Sequence, residues 1–240
     1  MQLAYNGSNY YGWQRQPAHA SVQQELEEKL SMILNNPTSV LGCGRTDTGV
    51  HAKEYILHFD TTLPIDEKRL VHQLNATLPA DIAVYAIYEV PTDWHARFTA
   101  IDRSYEYHFH FYKSPFKQKS SWCLKYELNH QAIQEACTYL IGKQDFTSFA
   151  KIHTDVNNHI CTITEAKWEY TKEGVVFSIT ANRFLRNMVR AIVGTLVRIG
   201  EGKLTPSDMK DIIAQKNRSV AGQSVPAHGL YLTQIRYPDL

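Results

Sequence analysis

The chain is poor in nearly everything that would mark it for an exceptional environment. Its four cysteines, Cys43, Cys123, Cys137 and Cys161, are scattered over 240 residues with no C-x-x-C pair. That spacing argues against a disulfide framework or a zinc site and for reduced, mostly buried thiols. Net charge is almost absent, since 25 Lys and Arg stand against 24 Asp and Glu. No bulk positive field exists to draw in a polyanion, so any nucleic-acid partner must be met by local clustering of basic residues. Long apolar runs are missing too. The most apolar stretch, Ala191 to Val197, is fenced by Arg190 and Arg198 and is far too short to span a bilayer. The opening MQLAYNGSNYYGW has neither the basic nor the apolar region of a secretory leader, which makes a cytoplasmic location without membrane attachment the expectation. No low-complexity segment, charge block or short-period repeat occurs.

What remains is a globular composition, 43% hydrophobic and 20% charged, in a chain long enough to bury a core without staples. At about 150 residues per domain its length allows one or two domains. Tyrosine is the surplus, with 14 residues that can fill a core, cover an interface or stack on a base.

Ser21 to Leu34 reads as a helix, with Val22, Leu26, Leu30, Ile33 and Leu34 on one face and a Ser21-x-x-Gln24 capping box. A strand starting at Met1, short strands near Ser39 to Cys43 and Glu54 to Asp60, a helix over Asp66 to Ala76 and a strand over Ile82 to Val90 follow. Their β-α-β-β-α-β order is ferredoxin-like. Arg103 to Tyr112 alternates strictly, with Tyr105, Tyr107, Phe109 and Phe111 on one face and Glu106, His108 and His110 on the other. Asn129 caps a helix ending at Gly142, and strands follow over Ile160 to Tyr170 and Val175 to Ala181, joined at Lys172-Glu173-Gly174. The apolar rows of Phe184 to Ile199 predict a core helix with Arg183, Arg186 and Arg190 gathered on one side. Thr205-Pro206 opens another helix, and Leu230 to Tyr237 closes with a strand. The expectation is an α+β chain whose two ferredoxin-like halves share a continuous central sheet.

Gly42-Cys43-Gly44-Arg45-Thr46-Asp47-Thr48-Gly49-Val50-His51 is the densest functional candidate. Its glycines admit positive φ and a ligand close to the main chain, and an Arg and an Asp sit two residues apart within it. Composition alone favours a plain polar turn, with the Asp in an Asx-turn and the Arg in solvent. An aspartic protease reading of Asp47-Thr48-Gly49 fails, because that chemistry needs a second carboxylate loop and no second copy occurs.

With its surroundings, Gly44-Arg45-Thr46-Asp47-Thr48-Gly49-Val50-His51-Ala52 resembles the signature of the TruA family of tRNA pseudouridine synthases. Tyr5-Asn6-Gly7-Ser8-Asn9-Tyr10-Tyr11-Gly12-Trp13-Gln14 is similar to the family's opening, and Ser21-Val22-Gln23 to its first helix start. Asn75-Ala76-x-Leu78-Pro79-x-Asp81-Ile82, Trp94-His95-Ala96-Arg97-Phe98, Arg103-x-Tyr105-x-Tyr107 and Asp145-Phe146-Thr147-Ser148-Phe149 follow in family order. Asn182-x-Phe184-Leu185-x-x-Met188-Val189-Arg190 and Gly229-Leu230-Tyr231-Leu232 complete the series. The match runs from residue 5 to residue 232, and its departures (Asn6, Trp94 and Thr48) fall outside positions that carry chemistry.

The resemblance implies a pseudouridine synthase fold with a mostly antiparallel sheet and helices on one side. Residues 1–104 would form an N-terminal subdomain carrying the catalytic loop, and residues 105–240 a C-terminal subdomain completing the active site and RNA cleft. It implies an isomerase that flips uridines of the tRNA anticodon stem-loop, at positions 38 to 40, out of the helix and rejoins each uracil through C5. No metal and no nucleotide cofactor is expected. Asp47 would be the catalytic carboxylate, acting at C1′, at C6 or as a base. Arg190 would pair with it and keep it charged. Arg45 would help turn out the nucleotide, Tyr105 would stack on the uracil, and Leu230 with Tyr231 would wall its pocket. His51 and His95 are expected to brace loops, and His108 and His110 to play structural or RNA-backbone roles, no third metal ligand being signalled. Arg15, Arg45, Arg97, Arg103, Lys113, Lys117, Lys119, Arg183, Arg186 and Arg190 are the candidates for an RNA cleft, completed in the family across a homodimer. The competing readings are a non-catalytic RNA-binding module of the same fold, or the same chemistry on another RNA.

Overall fold

The computed structural model describes residues 1–151, 158–172 and 174–238. Glu173, at the expected turn after Lys172, lies outside the described residues. In chain order the elements are β1 (Gln2–Tyr5), α1 (Val22–Leu34), β2 (Leu41–Gly42), β3 (His51–His58), α2 (Glu67–Thr77), β4 (Ile82–Ala86), β5 (Asp102–His110), β6 (Trp122–Cys123), α3 (His130–Thr138), β7 (Gly142–Asp145), β8 (Ile160–Thr171), β9 (Gly174–Ala181), α4 (Met188–Gly200), α5 (Asp208–Gln215) and β10 (Leu230–Arg236). They fall into two compact units, one of Met1–Ile101 with the chain from Tyr231 onward, the other of Asp102–Leu230. The return of the last strand to the first unit is a non-local pairing that a division into two successive stretches does not anticipate.

The helix starts follow from their caps. The side chains of Ser21, Asp66 and Asn129 accept hydrogen bonds from the backbone N–H groups of Gln24, Arg69 and Ala132, which frees α1, α2 and α3 of one orphan donor each. In the first unit β1 lies antiparallel between β4 and β3. The other edge of β3 is divided between two partners. β2 pairs with its end, Leu41 opposite His58, and β10 runs parallel to its beginning, Tyr231 opposite His51 and Leu232 opposite Ala52. Hence β2 is shorter than the expected strand over Ser39–Cys43, and β3 begins at His51, ahead of the expected Glu54. The Asp47 loop spans the gap between the end of β2 and the start of β3.

In the second unit β5, β9, β8 and β7 pair antiparallel in that order, and β6 runs parallel to the end of β5. The alternation of β5 is realised in part: Tyr107 and Phe109 are buried, with Phe109 packed 4.9 Å, centroid to centroid, from Trp168, but His110 of the opposite face is buried too and the strand ends before Phe111. Nearly all of α4 is buried, each Val, Leu or Ile contributing roughly 1.5–3 kcal/mol. One expectation is corrected here. The core helix begins at Met188 and not at Phe184, because Asn187 adopts the left-handed conformation at φ +66 and interrupts the run. Arg183 and Arg186 therefore precede the helix and only Arg190 projects from it. The earlier apolar rows belong to a turn that buries Leu185 without helical geometry. The helix after Asn129 also ends early, at Thr138, and Gly142 at φ +105 opens β7.

The chain is a mixed α+β protein with mostly antiparallel pairing, the class expected from its sequence. All four cysteines are free thiols, and burial pushes Cys137 up to about 12 and Cys161 to about 11. Among the described residues no helix is long and apolar enough to cross a membrane.

Candidate active site

The loop between β2 and β3 is built around backbone contacts. Val50 N–H donates to Asp47 O at 3.1 Å with Gly49 at φ +78 in the third position, the conformation a type II turn demands and glycine adopts freely. Asp47 is the first residue of that turn, half-buried, while Arg45 is exposed. Between them Thr46 is buried and its Oγ1 shares a hydrogen bond of 2.8 Å with the Tyr5 hydroxyl. Thr46 O accepts Trp13 N–H at 3.2 Å, and Gly49 N–H reaches Tyr10 O at 3.4 Å.

Aromatic side chains complete this cradle. The Trp13 ring stacks on Tyr55 at 4.0 Å, and the Tyr55 hydroxyl donates to Gly44 O. Gly42 lies against both rings and Gly7 against the Val50 carbonyl, so a Cβ at either position would collide. The Tyr10 hydroxyl donates to Asp81 at 2.5 Å, and burial followed by that carboxylate holds the phenol well above its ordinary range. His51 is buried, accepts Gly7 N–H on Nδ1 at 3.1 Å and stacks on Tyr231, centroids 4.6 Å apart. Its Nδ1 is thereby occupied in the neutral ring. His95 likewise accepts Arg97 N–H on Nδ1 at 3.0 Å. Sequence reasoning singled out Asp47 and Arg45 but not Tyr5, Trp13 and Tyr55, which hold their loop. Tyr5 and Trp13 were marked only by the resemblance of residues 5–14 to the family's opening and by their aromatic density, and Tyr55 only by the tyrosine surplus.

Tyr105, Arg190 and Leu230 fall in the second unit. Tyr105 is half-buried on β5 with its ring edge-on to Phe184, centroids 5.1 Å apart. Arg190 leaves the first turn of α4 and donates through Nε to Val225 O at 2.7 Å. The next carbonyl, Pro226 O, accepts the Tyr107 hydroxyl at 2.8 Å. Burial drives the Tyr107 phenol far above its ordinary range, against the lowering influence of the nearby Arg190 charge. Leu230 is buried at the start of β10, directly after Gly229, which packs against the Tyr107 ring. The segment 222–230 thus ties Arg190, Tyr107 and Leu230 to one stretch of backbone.

Among the other basic candidates, Arg15 pairs with Glu27 at 3.3 Å, Arg103 donates to Asn182 O at 3.0 Å, and Arg183 reaches Asn158 at 3.4 Å. Lys113 and Lys119 are exposed on a loop that also carries Tyr112 and Phe116, 84% and 92% exposed. His108 pairs with Glu106 at 2.8 Å and His110 bonds Ser121 at 3.0 Å, and among the described residues no group of three such donors is assembled for a metal. Burial, with Lys117 and His228 nearby, lowers the pKa of His110.

A half-buried carboxylate carried on a backbone-fixed turn, two residues from an exposed guanidinium, offers a nucleophile or base near an anion contact. The second unit offers an oriented guanidinium and an aromatic face. Comparison with known proteins gives these groups a context. A profile of the tRNA pseudouridine synthase family matches residues 2–99 and 136–238. A tRNA pseudouridine synthase A of Porphyromonas gingivalis is 49% identical over 241 aligned residues, covering 99% of this chain and 96% of that protein. The protein of that name in Parabacteroides distasonis is 47% identical, over 99% of this chain and 94% of its own length. In Bacillus subtilis it is 41% identical, over 99% and 98%.

Proposed function

The chain belongs to the tRNA pseudouridine synthase family, and from that premise we propose that it isomerises uridine to pseudouridine in the anticodon stem-loop of tRNA, at positions 38 to 40. The observation that carries this reading is the extent of the kinship: the family profile matches residues 2–99 and 136–238, and a relative 49% identical covers 99% of the chain. The isomerisation conserves every atom: N1–C1′ breaks, C5–C1′ forms, C5 loses a proton and N1 gains one. It needs a carboxylate of fixed position and a base removed from its stack, at a cost of a few kcal/mol in unstacking.

Asp47 is the catalytic carboxylate in this reading, supported by its place in a turn braced through Gly49, Gly12 and Thr46. Tyr105 offers a half-buried aromatic face for the uracil, Arg45 an exposed guanidinium for the displaced nucleotide, Arg190 a backbone-oriented cation and Leu230 an apolar wall. A homodimer in the cytoplasm is part of the same reading and rests on the family resemblance.

Asp47→Asn tests it. On unmodified tRNA transcripts the variant should bind within about threefold of wild type, charge being lost at one site among many, and form no pseudouridine detectable by carbodiimide labelling. Conversion at the wild-type rate would remove Asp47 from the mechanism. Salt-sensitive tRNA binding by wild type without any pseudouridine would leave an RNA-binding module.

A further inference from the structure

The carbonyl that orients Arg190 belongs to a loop segment with no regular structure of its own. Residues 221–226 lie between two short 3-10 turns, Arg218–Val220 and Ala227–Gly229, and form no ladder. A position that sets a functional guanidinium cannot be left to a free loop, so the question is what holds this strap.

Arg218 supplies the answer. It is half-buried, and its Nη1 donates to Gly222 O at 3.1 Å while its Nη2 donates to Ser224 Oγ at 3.2 Å. The fork thus spans three residues of the strap and locks it into one turn. Ser224 Oγ also accepts the side-chain amide of Asn187, the left-handed residue that caps α4. One residue further on, Val225 O accepts Arg190 Nε, and Val225 N–H returns a bond to Arg190 O at 3.3 Å. The strap is seated on the helix by close backbone approach: Gly222 N–H donates to the buried Thr195 Oγ1 at 2.8 Å, a Cβ on Gly222 would strike the backbone of Gly194, and a Cβ on Gly194 would strike the Gln223 carbonyl. Both of these partners of Arg218, Gly222 O and Ser224 Oγ, are neutral oxygens, and burial depresses its pKa. Holding a cation in such surroundings costs stability that a neutral residue of similar size would not, which argues for a geometric task over a purely structural one.

We propose that Arg218 is a positioning residue for Arg190: its fork fixes the strap so that Val225 O receives Arg190 Nε and the remaining guanidinium nitrogens keep one direction. The kinetic part of this inference rests on the proposed role of Arg190 in tRNA modification, whereas the geometric part does not.

Two measurements on the full-length protein separate them. The first reads the Arg190 Nε–H directly by NMR of 15N-arginine-labelled protein. In wild type its exchange with solvent should be slow, because Nε–H is bonded to Val225 O. Arg218→Ala should speed it about tenfold, the loss of one charge-assisted hydrogen bond, while Arg218→Lys, which cannot span Gly222 O and Ser224 Oγ together, should fall between. The second is a double-mutant cycle on the single-turnover rate with unmodified tRNA transcript. Arg218→Ala should slow conversion about tenfold in the wild-type background and leave tRNA affinity within about twofold, yet have almost no further effect in an Arg190→Ala background. A purely structural role would cost the same in both backgrounds and track the melting temperature. Unchanged Nε–H exchange in Arg218→Ala, or full additivity in the cycle, overturns the proposal. Absence of conversion by wild type would defeat the proposed function alone, since the exchange measurement would still decide whether Arg218 positions Arg190.

Discussion

Replacing Gly12 by alanine tests the backbone cradle of Asp47 without touching a charged or reacting group. Gly12 sits at φ +90, and a Cβ there would stand 2.5 Å from the Thr46 carbonyl oxygen and 3.1 Å from the Asp47 carbonyl carbon. Left-handed backbone costs an alanine about 1–2 kcal/mol. To restore an ordinary contact near 3.4 Å the Thr46 carbonyl must retreat by about 0.9 Å, which breaks the bond it accepts from Trp13 N–H and adds about 1 kcal/mol. The combined cost of about 2–3 kcal/mol corresponds to a fall of roughly 5–10 °C in melting temperature for a chain of this size. The loop moves with the carbonyl, and a displacement near 1 Å at a reacting group costs on the order of a hundredfold in rate. Gly44→Ala is the control within the same loop, because a Cβ there meets nothing within 4 Å and its backbone is not left-handed. It should lie within about 0.5 kcal/mol of wild type. Single-turnover pseudouridine formation and differential scanning calorimetry on the three proteins decide the matter. A Gly12→Ala variant within threefold of the wild-type rate, or a Gly44→Ala variant as impaired as Gly12→Ala, would refute the idea that close backbone approach positions Asp47.

Thr46→Val keeps the shape of the loop but removes the hydroxyl that shares the 2.8 Å bond with the buried Tyr5, which should cost about 1 kcal/mol in denaturant unfolding; a smaller cost of Thr46→Val in a Tyr5→Phe background would confirm that the pair acts as one. Lys113→Ala and Lys119→Ala should each reduce the salt dependence of tRNA binding by about one in the slope of log affinity against log salt, if the exposed loop meets phosphate. An unchanged slope places the RNA elsewhere. Burial lowers the pKa of His58, His110, His130 and His228. A depressed folded pKa means that their contribution is complete above the unfolded value near 6.5 and is lost as pH falls below it. The melting temperature should therefore drop between about pH 6.5 and pH 5. His130→Gln should flatten part of that drop, since the His130 Nδ1 that accepts the Trp168 indole N–H at 2.9 Å would be replaced by an amide oxygen that does not titrate. A flat profile in the wild type would contradict the assignment.

Local features were legible in the sequence to the extent that their causes are local. Ser21, Asp66 and Asn129 mark helix starts because a cap acts within three residues, and the alternation of β5 shows because one face of a half-buried strand is apolar wherever the strand lies. The start of α4 was misplaced for the complementary reason. Phe184 and Leu185 continue the apolar rows of the helix, and only the conformation of Asn187, tied to Ser224 far along the chain, ends them. The limits of β2 and β3 depend on β10, whose pairing with His51 and Ala52 no local pattern announces. In the candidate site, glycine density and the Arg45–Asp47 pair marked the loop. Its supports did not show, because Tyr5, Trp13 and Tyr55 are distinguished from other core aromatics only by which carbonyl or hydroxyl they reach.

Asp47 and Arg190 share a mode of support that explains both the glycines and the absence of a large charge excess. Each is fixed through main-chain atoms: Asp47 in a turn closed by Val50 N–H, Arg190 by the carbonyl of Val225. Around the first, Gly7 and Gly12 let backbone meet backbone; around the second, Gly194 and Gly222 do the same. Main-chain dipoles have no rotamers to order and no protons to lose near neutrality, so they hold a charged group in place with little reorganisation when substrate arrives. A field assembled from many side-chain charges would be screened by salt and would shift with every neighbouring titration. The chain can thus remain nearly neutral overall and still present a carboxylate on a backbone-fixed turn and an oriented guanidinium. It follows that turnover should be more sensitive to a methyl group added at Gly12 or Gly222 than to removal of any single surface lysine, an ordering opposite to the one expected if local electrostatics alone organised the site.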